Sequence, residues 1–115
     1  MNVTFCRCVC ETYWKSYEKN GSNALQLIVA EDNQEEGVVA GDPMATASVC
    51  FDYLVAEDEL LVKDWDTNEG MVEALIAAGV IAVPHLEVQS AYAIAKLCKL
   101  TPAALAEVQT AFAEA

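Results

Sequence analysis

The sequence predicts an α+β fold: an antiparallel sheet of about four to five strands, one central helix at about 67–78 and a C-terminal helix at about 102–113. Three observations carry this expectation. Short β-branched and aromatic runs separated by turn chemistry fill the first half. An amphipathic stretch follows Asp66. A Thr-Pro helix start opens the last fifteen residues, so helices are segregated after strands.

Residues 3–14 (VTFCRCVCETYW) read as the first strand, rich in aromatic, β-branched and Cys residues. Lys19-Asn20-Gly21-Ser22 follows as a turn, because Asn-Gly tolerates positive φ. Ala24–Ala30 is a short apolar run bounded by turn signals, and it reads as the hairpin partner of the first strand. Glu31–Pro43, with two glycines and five acids, reads as a loop with room for a short strand at Val38-Val39. Thr46–Tyr53 alternates, placing Ala47, Val49, Phe51 and Tyr53 on one side. Leu60-Leu61-Val62 is a fourth strand after the charged turn Glu57-Asp58-Glu59.

The central helix has Asp66 or Thr67 as its cap and Glu69 three residues after Asp66, the spacing of a capping box. Met71, Ala74, Leu75 and Ala78 form its apolar stripe, and Gly79 is its terminator. Val80–Val83 reads as a strand stopped by Pro84. Residues 86–99 fit either a strand, through alternating Val88, Ser90, Tyr92 and Ile94, or an Ala-rich helix. Thr101 at the cap and Pro102 at the first helical position open the last helix, whose stripe is Leu105, Val108 and Phe112. At 115 residues, with no linker and no internal repeat, the chain reads as a single domain over 1–115 with a real core.

Charge is the most distinctive feature. Between Glu31 and Glu73 stand thirteen acids and one base, Lys63, which accounts for the whole net charge of −12. Elsewhere Glu11, Glu18, Glu87, Glu107 and Glu114 balance Arg7, Lys15, Lys19, Lys96 and Lys99. A field of one sign disfavours direct binding of nucleic acid or anionic membranes and attracts basic protein surfaces. The hydrophobic fraction of 55% assigns this acidity to a folded surface, since disordered chains are poor in apolar residues. No apolar run approaches the roughly 20 residues that span a bilayer. Residues 1–10 lack the pattern of a secretory signal, and five irregularly spaced cysteines fit a reducing compartment, so the expected location is the cytoplasm.

Few residues suggest catalysis. Cys6, Cys8 and Cys10 would share one face of a strand at roughly 6.6 Å spacing. Three such thiols could begin a zinc or copper site, but closed zinc sites draw on C-x₂₋₄-C pairs that wrap the ion. The other reading is that they pack as small hydrophobes. His85, the only histidine, has no nucleophile motif to accompany it. Phosphate loops, H-E-x-x-H and G-x-S-x-G are absent from the sequence. Asp32, Glu35 and Glu36 lack the spacing of a calcium loop, and nothing selects a carboxylate pair for glycoside chemistry. The chain is therefore expected to be non-catalytic, with no cofactor and no metal.

The acids can be a solvated face or a docking face. Asp52, Glu57, Asp58, Glu59, Asp64, Asp66, Glu69 and Glu73 span a strand, a turn, a strand and a helix N-terminus, and they could converge into a ridge that imitates duplex phosphate spacing, with Asp52, Glu57, Asp58, Glu59, Asp64 and Asp66 as the expected partner-binding acids. Asp66 and Glu69 could instead serve only their own helix. Trp65, set among these acids, is either a core aromatic or, if exposed, an interface anchor.

Residues 60–81, LLVKDWDTNEGMVEALIAAGVI, resemble the signature of a bacterial and phage family of small proteins of unknown function. The resemblance is carried by Lys63, Asp64, Trp65, Asn68, Glu69, Gly70, Ala78 and Gly79, with ALQLIVAEDN and ATASVCFDY similar to that family's preceding strands; it extends over about residues 20–95 and leaves out the tail from Thr101. It implies a phage or mobile-element context and no assigned activity. By analogy with other small acidic proteins of such elements, it implies an anti-CRISPR or anti-restriction inhibitor that occupies a basic nucleic-acid-binding surface of a host complex. The alternative is a structural or regulatory homo-oligomeric module, such as a homodimer, whose acidity is only solubilising and whose apolar content and Ala-rich Thr101–Ala115 helix leave room for self-association.

Overall fold

The computed structural model describes residues 1–113, so Glu114 and Ala115, the end of the expected Thr101–Ala115 helix, lie outside the described residues. The α+β class holds, but the strands form two antiparallel sheets of four and three strands instead of a single sheet of four to five. The first sheet is a meander of β1 (Asn2–Phe5), β2 (Cys8–Ser16), β3 (Asn23–Val29) and β4 (Pro43–Thr46). The second has the order β5-β7-β6, from β5 (Glu59–Val62), β6 (Leu86–Gln89) and β7 (Ile94–Lys99).

The expected strand over 3–14 is a hairpin. Phe5 pairs with Cys8, and the turn residues Cys6 and Arg7 have φ of 51° and 65°. Positive φ at both central positions is the turn whose twist matches flanking strands, but it is usually marked by Asn or Gly. Neither is present here, so the turn left no sequence signal. Cys6 consequently sits exposed on the turn and does not share the face of Cys8 and Cys10, which are buried. The Asn20-Gly21 turn joins β2 to β3 as expected, with Gly21 at φ 73° and its N–H donated to the Tyr17 carbonyl at 2.7 Å. Along β3, Asn23, Leu25, Leu27 and Val29 point inward in strict alternation.

The expected strand over Thr46–Tyr53 is replaced by an irregular strap, residues 47–58, that bridges β5 only at Ser48 and Val62. Its alternation is real nonetheless. Ala47 enters the main core, and Val49, Phe51, Tyr53 and Val55 cover one face of the second sheet. Val38 and Ile81 make isolated bridges, to Asn33 and Leu100, in place of the short strands expected at 38–39 and 80–83. Residues 86–99 are a hairpin, closed by a turn at Ala91-Tyr92, and not a helix.

The central helix is shorter than expected: α1 runs Met71–Ala77, preceded by a 3₁₀ turn over Asp66–Asn68. Neither Asp66 nor Thr67 caps it. Its N-cap is Gly70 at φ 91°, a backbone angle that an L side chain resists. No atom lies within 4 Å of where a Gly70 Cβ would stand. Gly70→Ala should therefore cost about 1–2 kcal/mol through backbone conformation alone, and the shift in urea midpoint checks it. α2 (Pro102–Ala113) begins as anticipated: Thr101 Oγ1 accepts the Ala104 N–H at 3.2 Å and donates to the Gly79 carbonyl at 2.6 Å.

The main core draws on every layer. Val3, Cys10, Leu25 and Leu27 of the first sheet meet Leu60, Val62 and Cys98 of the second, with Met71 and Leu75 of α1 and Ala104 and Val108 of α2. A smaller cluster of Leu61, Val88, Ala95 and Leu97 lies under the strap and Trp65 on the other face of the second sheet. Burial on both faces is the reason Leu60-Leu61-Val62 is apolar without alternation.

Candidate functional site

The acids singled out in the sequence flank β5. Asp58 and Glu59 stand at its start, while Asp64 and Asp66 follow its end. Asp52 and Glu57 belong to the strap. A four-residue strand separates the two groups by roughly 13 Å of extended chain.

Three of these carboxylates are engaged inside the fold. Asp58 accepts both available contacts from Lys99 Nζ, at 3.1 and 3.2 Å. Glu59 is 12% exposed; its Oε1 accepts the Ala56 N–H at 3.0 Å, and its Oε2 lies 3.0 Å from His85 Nε2 and 4.0 Å from Lys99 Nζ. These partners were not anticipated. Antiparallel pairing sets Glu59 directly opposite Lys99, and the register would have shown it once 94–99 was taken as a strand beside β5. Asp64 Oδ1 accepts the Val72 N–H at 3.3 Å, within the first turn of α1, where a carboxylate also meets the positive end of the helix.

Asp52, Glu57 and Asp66 are different. All three are exposed, and among the described residues none of their carboxylates makes a hydrogen bond or ion pair. Asp66 holds its place by backbone conformation, with φ of 54°. The acidic loop between β3 and β4 is partly self-bonded: Asp32 accepts the Ala40 N–H and Asp42 the Val39 N–H, while Glu36 lies 3.7 Å from Arg7.

Trp65 is half-buried. Its ring meets Phe51 at a centroid distance of 6.3 Å, and Lys63 Nζ lies 5.7 Å from the ring centroid on a face. Asn68 of the same stretch is structural. It is buried and donates Nδ2–H to the Thr46 carbonyl at 2.7 Å, tying the 3₁₀ turn to the first sheet.

The thiols of Cys8, Cys10 and Cys98 are pushed up by burial, Cys10 to about 11 and Cys98 to about 12. Neutral thiols at ordinary pH are poor nucleophiles and poor metal ligands. Among the described residues no three His, Cys, Asp or Glu side chains are grouped to hold a metal ion. A cleft of about 660 Å³ is lined by Cys6, Tyr17, Ser48, Cys50, Lys63 and Asn68 among others. Two of its hydroxyls are engaged with the fold: Ser48 Oγ accepts the Leu25 N–H at 2.9 Å and contacts Tyr17 Oη at 2.9 Å. His85 does not line it. The depression beside His85, formed by Pro84, His85, Leu86, Glu87 and Lys96, offers no hydroxyl or thiol.

No described helix is long and apolar enough to cross a membrane. Compared with known protein families, with curated proteins and with solved structures, the chain matches none.

Proposed function

We propose that the chain is a non-catalytic binding protein whose acidic region docks on a basic, nucleic-acid-binding surface of a host complex in the bacterial cytoplasm. In this reading it acts as a phage or mobile-element inhibitor of the anti-CRISPR or anti-restriction kind. The observation that carries it is the concentration of the full −12 charge into residues 31–73, together with three carboxylates there, Asp52, Glu57 and Asp66, that serve no described contact of the fold. A field of this kind speeds encounter with a basic partner and is screened within about 8 Å at physiological salt. Lasting affinity needs an apolar centre, and Trp65 with the strap residue Leu54, 89% exposed, lies within the same stretch of chain.

The test compares the wild-type protein with a triple variant, Asp52→Lys, Glu57→Lys and Asp66→Asn. Asparagine is used at 66 because it tolerates the left-handed backbone better than lysine. Wild type should capture a basic nucleic-acid-binding complex from host lysate at low salt and release it to added DNA or RNA. The triple variant should lose that capture with a melting temperature within about 4 °C of wild type, as exposed substitutions usually allow. Capture that survives the triple change, or that nucleic acid does not displace, would overturn the reading.

A further inference from the structure

Two open antiparallel sheets have four outer edges, and two here carry a cover or a stop. β1 packs Val3 and Phe5 against α1, and its exposed residues, Asn2 and Thr4, are polar. β4 opens on Pro43, which has no N–H, and its Thr46 carbonyl is taken by Asn68. The outer side of β5 is occupied by the strap: Val49 N–H donates to the Leu61 carbonyl at 3.0 Å, and Lys63 N–H to the Ala47 carbonyl at 2.9 Å.

β6 has none of these. The Ser90 N–H donates to the Ala93 carbonyl at 2.8 Å, so alternate residues Val88 and Leu86 exchange backbone bonds with β7. Glu87 and Gln89 therefore turn their N–H and C=O groups outward. Among the described residues no backbone group meets them. Natural edges are usually blunted by lysine, proline or a bulge. This one instead has an apolar surround, with Leu86 46% and Ile94 48% exposed and Tyr92 98% exposed at the turn.

We infer that a second copy of the chain pairs here, β6 against β6, antiparallel about a two-fold axis at Val88. Charge selects both the occupant and the register. The Leu86–Lys99 hairpin holds one acid, Glu87, against Lys96 and Lys99, so two copies meet here outside the acidic stretch of a −12 protein. With Val88 on the axis, each Glu87 faces Gln89 of the other copy, a carboxylate against an amide, and the outward groups of 87 and 89 form four N–H···O bonds. A register centred on Glu87 would oppose two carboxylates. One centred on Gln89 would set Glu87 against the turn residue Ala91. Four-residue strands bury less than the roughly 1,200 Å² of a standard interface, so the dimer is concentration-dependent.

This inference is independent of the acidic-face reading, since Asp52, Glu57 and Asp66 lie outside β6. Sedimentation equilibrium, run under reductant because Cys6 is exposed, tests it from micromolar to millimolar protein. Wild type should shift toward dimer as concentration rises. Gln89→Glu opposes two carboxylate pairs and should weaken association about tenfold, whereas Gln89→Lys should strengthen it. Circular dichroism should show both variants folded, because Gln89 is exposed. A monomer at millimolar concentration, or a dimer indifferent to both substitutions, would overturn the pairing.

Discussion

Leu60→Ala should lower stability by about 3–4 kcal/mol, as large-to-small changes do at sites that cannot collapse. Leu60 is fully buried and sits opposite Cys98 in the cluster where both sheets and both helices meet. Its neighbour Leu61 is buried on the other face under the strap, so the β5 backbone is held from both sides and cannot move into the space left by the deleted methyls. Leu61→Ala empties a site covered by a half-buried strap and should cost closer to about 2 kcal/mol. Urea unfolding of the two variants measures the difference. Equal losses would mean that the strap packs as rigidly as the sheets.

Glu107→Ala should cost about 2–3 kcal/mol, lowering the melting temperature by on the order of 10 °C. This carboxylate on α2 gathers partners from the first hairpin. The Met1 amino group lies 2.8 Å from Oε2, Trp14 Nε1–H donates to Oε1 at 2.9 Å, and the Thr12 hydroxyl also donates to Oε1. Removal strands the buried indole N–H and leaves the Met1 amino group with the Thr12 hydroxyl as its remaining partner. Burial by itself would raise the Glu107 pKa, but the bonds from the amino group, Thr12 and Trp14 outweigh it and hold the carboxyl below its ordinary 4.5. A folded-state value below the unfolded one means the stabilisation is fully present above about pH 4.5 and is lost as pH falls through the folded pKa. The melting-temperature gap between wild type and Glu107→Gln should therefore be constant near neutral pH and close in acid. A gap that persists or widens below pH 4 would assign the effect to packing, not charge.

Several elements were legible because their signals are local. Asn20-Gly21 marks its turn through tolerance of positive φ, and Thr101-Pro102 marks its helix through a hydroxyl acceptor and a preset φ. The alternation of 49–53 marked Val49, Phe51 and Tyr53 as the packed side, although the backbone there is a strap and Ser48, on the opposite side of the alternation, is also buried. The Cys6-Arg7 turn and the start of α1 at Gly70 were hidden. In the first, residues with no turn preference are forced to positive φ by strand pairing. In the second, the Asp66–Glu69 spacing imitates a capping box while the Asn68 bond to Thr46 holds that segment as a 3₁₀ turn.

The sequence by itself determined the α+β class, the Asn20-Gly21 turn, the start of α2 and the confinement of net charge to residues 31–73. Each follows from period, turn chemistry or composition, which act over a few residues. Only the tertiary structure decided that the strands divide into two sheets and which acids remain free. Lys99 reaches Asp58 from 41 residues away, and His85 reaches Glu59 from 26 away. Which carboxylates are engaged is therefore settled by long-range pairing, which no local spacing encodes.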